Sequence, residues 1–254
     1  MLVIAVCAVL LTLRSSRPNP YSSLRSRRTP PIPCIADGDT GYGGVANIRR
    51  TVLNYGRAGM AGVMIEDQVA PKRCGHVDGK DVVDFDDALR RVKVAVDARD
   101  EFERAYGIKG PLILARTDAR GSLRFDGGDG EGGFEEAVRR LNAFREVGCD
   151  ITFLESPRGV EEMKRYGEMV DGPKLANMLE GGKTPLLGRE ELEELGFNLA
   201  AYPLTLMSAA MKAMNEVLEK IAQGEDCSDS ILDFGTVKTK VGFGELKDLD
   251  DKYL

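Results

Sequence analysis

The sequence predicts an α/β protein, a (β/α)8 TIM-type barrel that lacks its first two strand–helix units. Three observations indicate this fold class. Short apolar segments alternate with longer segments of helical period, polar residues follow most of the apolar segments, and no glycine pattern typical of dinucleotide binding follows the first of them. An open, doubly wound sheet is the alternative.

The predicted strands are six apolar segments, as expected for a parallel sheet that is buried on both faces. They read PIPCIAD, AGVMIED, PLILARTD, CDITFLES, PKLANML and FNLAAYP. The segments between them have helical period. In FEEAVRRLNAFREVG an apolar stripe runs from Phe134 to Val147 and stops at Gly148, which suits a helix C-terminus. VANIRRTVLNYGRAG shows the same period, and DFDDALRRVKVAVDARDEF opens with aspartates that favour a helix N-terminus.

Charged or amide residues follow five of the predicted strands in succession. They are Asp37 and Asp39, Glu66 and Asp67, Arg116 and Asp118, Glu155, and Asn177 with Glu180. Such residues converge on one mouth only if the sheet closes, so the barrel is favoured over the open sheet. Six strand–helix units occur between residues 31 and about 223, whereas a complete barrel has eight. Either the barrel is incomplete or the apolar N-terminus fills part of the gap.

The chain is predicted to have three segments. Residues 1–30 form a targeting segment or a mispredicted N-terminus, residues 31–224 the barrel domain, and residues 225–254 a C-terminal packing or oligomerisation segment. The first segment opens with LVIAVCAVLLTL, which is shorter than the roughly 20 residues of a membrane-spanning helix. An Arg- and Ser-rich stretch without acids follows, as in organelle transit segments. We expect no stable membrane insertion, and a location in the cytoplasm or in a plastid or mitochondrion.

Composition excludes several classes of function. The net charge is −6, and since the first 30 residues hold five Arg and no acid, the rest of the chain is more acidic still. We therefore expect no nucleic-acid partner, because phosphate binding needs a basic face. A single histidine, His76, excludes multi-histidine zinc sites. Five widely spaced cysteines without a CxxC pair indicate a reducing compartment.

Three acidic residues form a candidate metal site. Asp37 and Asp39 are two residues apart at a strand end, so both carboxylates point to one side, and Glu66 ends the next strand. Hard oxygen ligands of this kind suit Mg²⁺ held partly through water. A solvated turn is the alternative interpretation of DGD taken alone.

The segment PKRCGHVDGK contains a candidate acid–base residue. Cys74 follows Lys72 and Arg73 and precedes His76, and neighbouring cations favour the thiolate over the thiol. Cysteine is also common as a small buried hydrophobe, but no apolar residue flanks this one. The glycines nearby suggest a mobile loop that closes over a substrate.

Arg116 is a candidate substrate-binding residue with two interpretations. At a strand end its guanidinium needs an anion, either the site carboxylates in a structural salt bridge or a carboxylate of the substrate. Glu155, Asn177 and Glu180 are either hydrogen-bonding groups for a small polar ligand or ordinary polar residues of a barrel rim.

Five motifs in this order, DGDTGYG, IEDQ with PKRCGH, ARTDA, FLESP and NMLEGGKTP, resemble the isocitrate lyase and phosphoenolpyruvate mutase superfamily. The resemblance runs from Pro31 to the C-terminus. It is strongest to the branch of methylisocitrate lyases and petal death protein, whose members are often called carboxyvinyl-carboxyphosphonate phosphorylmutases. KRCGH is the most specific motif.

The resemblance implies a metal-dependent barrel with assigned residues. The implied ligands of Mg²⁺, or of Mn²⁺ in its place, acting mostly through water, are Asp37, Asp39 and Glu66. The implied catalytic residues are Cys74, a proton donor on a gating loop, with His76 and Lys72 in support. The implied substrate-binding residues are Gly75, Arg116, Glu155 and Asn177. Terminal helices exchanged between subunits, giving a homodimer or homotetramer, are also implied; a helix that merely covers the barrel is the alternative for LTLMSAAMKAMNEVLEKIAQG.

The predicted function is a Mg²⁺-dependent carbon–carbon lyase. It would cleave a small 2-hydroxy di- or tricarboxylate, of 2-methylisocitrate or 2-alkylmalate type, to an oxoacid and a second carboxylate. The cysteine favours a lyase because a departing carbanion needs a proton, whereas phosphonate transfer does not. The alternatives are an oxaloacetate hydrolase, a phosphonomutase, or a catalytically inactive truncated homologue, since the Ser-Gly-Gly cradle and one further aspartate of the family have no counterpart here.

Overall fold

The computed structural model describes residues 2–6, 9–10, 32–76, 79–125 and 131–253. The chain divides into two compact units, residues 1–205 and residues 206–254. Residues 11–31 lie outside the described residues. The predicted targeting role of the N-terminal segment and the three-segment division are therefore still predictions.

The first unit is built on one sheet of eight strands. The strands are β1 (Leu2–Val6), β2 (Val9–Leu10), β3 (Ile35–Asp37), β4 (Gly62–Glu66), β5 (Leu112–Thr117), β6 (Ile151–Leu154), β7 (Lys174–Asn177) and β8 (Leu199–Tyr202). Their order is β2-β1-β8-β7-β6-β5-β4-β3, and β3 to β8 pair in parallel with their sequence neighbours.

These parallel strands form a curled half-barrel, which agrees with the predicted α/β fold; the described strands do not form a full barrel. The six predicted strand segments after residue 31 are confirmed as β3 to β8. β1 extends the sheet in parallel beyond β8, and β2 turns back antiparallel to β1. A full barrel needs eight parallel strands. The described strands supply seven, and the sheet ends at β3 and β2.

The helices follow the strands along the chain, and the first five connect successive strands from β3 to β8. The helices are α1 (Val45–Arg57), α2 (Phe85–Tyr106), α3 (Gly132–Glu146), α4 (Val160–Met169), α5 (Arg189–Glu194), α6 (Thr205–Gln223), α7 (Phe234–Lys240) and α8 (Phe243–Tyr253). The three helices predicted from apolar periodicity correspond to α1, α2 and α3. Asp86 and Asp87 lie in the first turn of α2, where negative charge is favourable, and Gly107 ends that helix in the left-handed conformation.

The two faces of the sheet bury separate apolar clusters. Val63, Ile65 and Ile113 point to the helices and pack with residues such as Val92 and Phe134. Alternate strand positions form the second cluster on the other face, and its buried members are Ile35, Leu114, Ile151, Phe153, Leu175, Leu199 and Ala201. Burial on both faces fixes the register of each strand, and with it the position of the residue at its carboxyl end.

The second unit consists of most of α6 together with α7 and α8. Neither α6 nor α7 buries a side chain, and most of their large apolar residues are exposed. Asp233 caps α7 by accepting a hydrogen bond of 2.9 Å from the backbone N–H of Thr236. Across the described part of the chain, every helix is too short or too polar to cross a bilayer.

Candidate active site

The carboxyl ends of five neighbouring parallel strands carry the candidate site residues. Asp37, Glu66 and Asn177 are the last residues of β3, β4 and β7, Arg116 is the last but one of β5, and Glu155 directly follows β6. In the β4–β5 register Glu66 lies opposite Arg116. Since the strands are parallel, these ends meet at one edge of the sheet.

A tight turn after β3 sets the two aspartates. The Gly38 N–H donates to the Met64 carbonyl at 2.9 Å. A Cβ at Gly38 would lie 2.6 Å from that oxygen, so only glycine allows this approach. Asp39 adopts a left-handed backbone with φ 47°, and its N–H donates to Asp37 Oδ1 at 2.8 Å. The Glu66 N–H donates to the Asp39 carbonyl at 2.9 Å, which ties the turn to β4.

Lys72 joins the three candidate metal carboxylates. Its Nζ lies 3.4 Å from Glu66 Oε1 and 3.9 Å from Asp37 Oδ2, and it forms a close ion pair with Asp39. Burial alone would lower the pKa of Lys72, but the hydrogen bond to Asp39 and the charges of Glu66 and Asp37 outweigh it and raise that pKa. The Lys72 ammonium is thus surrounded by three carboxylates from two adjacent strand ends.

Glu66 is the buried member of this group. Its side chain is fully buried, and neither carboxylate oxygen has a hydrogen-bond donor within the described residues. Burial raises the pKa of Glu66 to about 7, although Arg116 and Lys72 act against the shift. Lys72 and Arg116 face its oxygens only at 3.4 and 3.5 Å, without hydrogen bonds, so both oxygens can still accept a cation and Glu66 fits a metal ligand.

The three carboxylates fit a cation that is bound through water. Within the ranges that the structure covers, no three His, Cys, Asp or Glu side chains are close enough together to ligate one ion directly. Mg²⁺ commonly keeps several of its waters and uses only one or two carboxylates directly. Carboxylates gathered around a common positive charge, as Asp37, Asp39 and Glu66 are around Lys72, suit that mode of binding.

Arg116 is held by carboxylates of the site itself. Asp118 accepts two hydrogen bonds from its guanidinium, of 2.8 and 3.0 Å. Glu155 Oε2 lies 3.0 Å from Nη2, and Glu66 Oε2 lies 3.5 Å from Nε. Burial alone would lower the pKa of Arg116, but Asp118 and Glu155 outweigh it and raise that pKa well above its ordinary value. The sequence left two partners open for Arg116, the site carboxylates or a carboxylate of the substrate. In this structure the guanidinium is paired with the site carboxylates.

His76 is fixed by partners on both ring nitrogens. Its Nδ1 accepts a hydrogen bond of 3.0 Å from the backbone N–H of Lys183, so the neutral ring carries its proton on Nε2. That nitrogen lies 2.9 Å from Glu155 Oε1 and 3.2 Å from Asn177 Nδ2. Burial alone would raise the pKa of Glu155, but Arg116 and the hydrogen bond to His76 lower it below its ordinary value. Glu155 thus links the histidine to the arginine.

Gly75 allows the segment around Cys74 to touch this buried network. A Cβ at Gly75 would lie 2.4 Å from Glu155 Cγ and 2.5 Å from Arg116 Nη2. No other residue fits there. The Cys74 side chain next to it is exposed, and its sulfur has no hydrogen bond to any described residue. The proton-donor role expected of Cys74 is still a prediction.

Sequence reasoning missed three residues of this network. Lys80 and Ser156 both donate to the Gly75 carbonyl, at 2.8 and 3.1 Å, and Lys80 also donates to Asp118 Oδ1 at 2.9 Å. Asp118 is a predicted strand-end residue without a predicted role. The strongest available signal for Lys80 was an isolated lysine in the glycine-containing loop VDGK, yet its partner Asp118 is 38 positions away.

Comparison with known proteins agrees with the motifs. The family model described as Phosphoenolpyruvate phosphomutase matches residues 22–222. The chain belongs to the phosphoenolpyruvate mutase/isocitrate lyase family. This confirms the resemblance that the sequence motifs indicated.

Curated members of the family include lyases and a mutase. The chain is 42% identical to 2,3-dimethylmalate lyase of Eubacterium barkeri over 218 residues, covering 86% of this chain and 68% of that protein. It is 38% identical to the chloroplastic carboxyvinyl-carboxyphosphonate phosphorylmutase of Arabidopsis thaliana, covering 87% and 60%. It is 40% identical to 2-methylisocitrate lyase of Aeropyrum pernix, covering 76% and 56%. The chain thus spans about three fifths of the length of the last two relatives.

Solved structures of the family share the fold. A crystal structure of 2,3-dimethylmalate lyase matches with a TM-score of 0.76 and 36% identity, covering 87% of this chain and 69% of that one. A structure of oxaloacetate acetylhydrolase with the inhibitor 3,3-difluorooxalacetate matches with a TM-score of 0.76 and 34% identity, covering 87% and 70%. This chain therefore shares its fold with about 70% of each of those two chains.

Proposed function

We propose that this chain is a carbon–carbon lyase that depends on Mg²⁺ or Mn²⁺. Its substrate would be a small 2-hydroxy di- or tricarboxylate of 2-methylisocitrate or 2-alkylmalate type, cleaved to an oxoacid and a second carboxylate. Relatives named 2,3-dimethylmalate lyase and 2-methylisocitrate lyase support this substrate class.

The observation that carries the proposal is the grouping around Lys72. Asp37, Asp39 and Glu66 surround its ammonium, and Cys74 follows two residues later in the chain. A carboxylate cluster that suits a cation, with a candidate proton donor two residues from the lysine at its centre, matches the two needs of such a cleavage.

Asp37, Asp39 and Glu66 would hold the divalent ion, as their common orientation toward one cation supports. What a cation bound there supplies is stabilisation of negative charge on the oxygen of the forming oxoacid. Because Glu66 is buried without donors, its negative charge would be compensated at the same time.

Cys74 would donate the proton that completes cleavage. The substrate hydroxyl gives its proton to water, the adjacent C–C bond breaks as the C=O bond of the oxoacid forms, and the released electron pair takes the proton from Cys74 Sγ. The resulting thiolate then regains a proton from water. Arg116 and Asn177 would bind substrate oxygens. His76 would hold the segment of Cys74 against Glu155, and Lys72 would support Cys74 from two positions before it in the chain.

A panel of substrates tests the proposal. The purified chain with Mg²⁺ is offered 2-methylisocitrate, 2,3-dimethylmalate, oxaloacetate and phosphonopyruvate, and the products are identified by NMR. We expect an oxoacid from one of the two hydroxy acids. Turnover of phosphonopyruvate alone would contradict the lyase, and no turnover of any compound would support the inactive homologue.

Hydrolysis of oxaloacetate is the second candidate. It is favoured by the structural match to oxaloacetate acetylhydrolase, whose TM-score of 0.76 equals that of the dimethylmalate lyase. The same panel separates the two, because this reaction consumes water and forms two carboxylates without an oxoacid.

The assembly proposed for the chain is a homodimer or homotetramer. The second unit supports it, because its apolar residues Leu218, Ile221, Phe234, Val241 and Phe243 are more than half exposed. Light scattering on the purified chain tests this, and a monomer at micromolar concentration would contradict it. For its location we propose the cytoplasm or an organelle; the Arabidopsis relative is chloroplastic.

A further inference from the structure

Lys80 is a buried ammonium to which the proposed chemistry gives no task. Only 2% of its surface is exposed. Its Nζ donates to the Gly75 carbonyl at 2.8 Å and to Asp118 Oδ1 at 2.9 Å. Burying an ammonium is unfavourable unless hydrogen bonds and an opposite charge compensate it. Both of its partners border the candidate site.

Backbone contacts fix the position of Lys80. The Leu123 N–H donates to the Lys80 carbonyl at 3.0 Å. Two residues further on, an antiparallel bridge pairs Val82 with Gln68 and closes the base of the segment that contains Cys74. A Cβ at Gly121 would lie 2.6 Å from Lys80 Cε, so glycine there leaves room for the lysine stem. Lys80 is therefore an anchored donor, not a mobile surface lysine.

Each partner of Lys80 controls a different functional residue. Gly75 directly follows Cys74, and its carbonyl accepts only the bonds from Lys80 and from Ser156 Oγ at 3.1 Å among the contacts observed. Asp118 uses both carboxylate oxygens to hold the Arg116 guanidinium. The ammonium of Lys80 thus links the backbone next to Cys74 to the carboxylate that holds Arg116.

We propose that Lys80 is a positioning residue that holds the thiol segment (residues 69–76) and Arg116 in a fixed relation. This inference rests on the proposed function, in which Cys74 donates the proton and Arg116 binds a substrate carboxylate. Proton transfer requires the thiol and the bound substrate to be placed together, and small displacements of either reduce the rate. Lys80 acts on both through two hydrogen bonds from the same ammonium group, one to Gly75 and one to Asp118.

Limited proteolysis tests the positioning role without any substrate. Trypsin cleaves after the exposed Arg73 only when the thiol segment opens, so the rate reports the open population. In Lys80→Met we expect cleavage after Arg73 to rise about tenfold relative to cleavage after the exposed Lys109, since a hydrogen bond to a charged group is lost. Lys93→Met, at an exposed ion pair on α2, is the matched control and should leave the ratio unchanged.

An equal rise at both cleavage sites in Lys80→Met would overturn the proposal, because it would mean a loss of global stability alone. Gly121→Ala gives an independent test if Lys80→Met does not fold. Its added methyl displaces the lysine stem and leaves the charge in place. We expect a rise of about threefold in the same ratio, and an unchanged ratio in a folded Gly121→Ala protein would also overturn the proposal.

Kinetics on the active chain give the second readout. We expect Lys80→Met to lower kcat at least tenfold per folded site, while a lysine with a merely structural role would leave kcat per folded site unchanged. If the wild-type chain turns over none of the four substrates, the proposed function fails, and the trypsin ratio still decides whether Lys80 holds the thiol segment.

Discussion

The candidate site has two halves that satisfy their charges differently. The inner half (Arg116, Asp118, Glu155, His76 and Lys80) is buried, and every one of these side chains has a charged or hydrogen-bonded partner at 3.0 Å or less. The outer half (Asp37, Asp39, Lys72 and Cys74) is half-buried or exposed.

This difference in burial predicts which side chains keep their partners and which can exchange them for a ligand. Buried ion pairs resist rearrangement, since losing one partner leaves an uncompensated charge. Partly exposed pairs have little net energy and are readily replaced. We therefore expect the inner half to set geometry and stability, and the outer half to bind ligands and carry the chemistry. Glu66 belongs to both, because its buried carboxylate lies within 3.5 Å of both Lys72 and Arg116.

The sharpest test of the outer half is Cys74→Ser. If Cys74 donates the proton, kcat should fall by about 10²–10⁴-fold, the usual contribution of a general acid. Because the side chain is exposed, the free energy of unfolding should not change. Stopped assays and urea denaturation measure the two quantities. Cys227→Ser, in the second unit, is the matched control, and equal activity of both variants would remove Cys74 from the chemistry.

The inner half should respond in the opposite way. Arg116→Met leaves Asp118 and Glu155 buried without their guanidinium, so we expect a loss of about 3–5 kcal/mol in the free energy of unfolding. Urea denaturation measures it. Arg49→Met breaks an exposed pair with Glu101 and should cause no measurable loss. Equal stabilities of the two variants would break the distinction between the halves.

Glu66 gives a pH test of the boundary between the halves. Its pKa is raised by burial from the ordinary 4.5 to about 7, so between these values the folded state binds the proton that the unfolded state releases. Stability should therefore fall as pH rises from 4.5 to 7, by about 3 kcal/mol.

The matched variant is Glu66→Gln, which does not titrate. With EDTA present, the difference in unfolding free energy between wild type and variant should change over this pH range and level off above it. A constant difference across pH 4.5 to 7 would mean that Glu66 titrates as in the unfolded chain.

The smallest expected effect concerns Lys72. Its ammonium and a divalent cation compete for the same carboxylates, so Lys72→Met should bind Mn²⁺ about tenfold more tightly, or roughly 1.4 kcal/mol. Electron paramagnetic resonance of free Mn²⁺ measures this affinity, with Lys93→Met as control. Weaker binding in Lys72→Met would show that the lysine supports the cation site and does not compete for it.

The sequence predicted well what depends on local pattern. Apolar periodicity located β3 to β8 and helices α1 to α3, because each element buries a face that its own residues define. The strand-end positions of Asp37, Glu66 and Arg116 followed from the same pattern. The count of six strand–helix units predicted an incomplete barrel. The pairing of β1 with β8 was not predictable from local pattern, because it joins segments at opposite ends of the first unit.

The buried contacts of the site were beyond sequence reasoning for a related reason. Lys80 meets Asp118 across 38 positions, and Gly75 meets Ser156 across 81. No local signal reports such pairs. Gly75 is an example. A side chain at this position would clash with Glu155 and Arg116, and only the structure shows that these two residues lie beside it.

Equilibrium binding of Mn²⁺ to the purified chain tests the central claim most directly, namely that three carboxylates at adjoining strand ends form one divalent-cation site. We predict one bound ion per chain in the wild type and loss of that ion in Asp39→Asn. Because Asp39 is half-exposed, the unfolding free energy of the metal-free variant should differ little from that of the metal-free wild type. The same stoichiometry and affinity in Asp39→Asn, or no binding to the wild type, would contradict it.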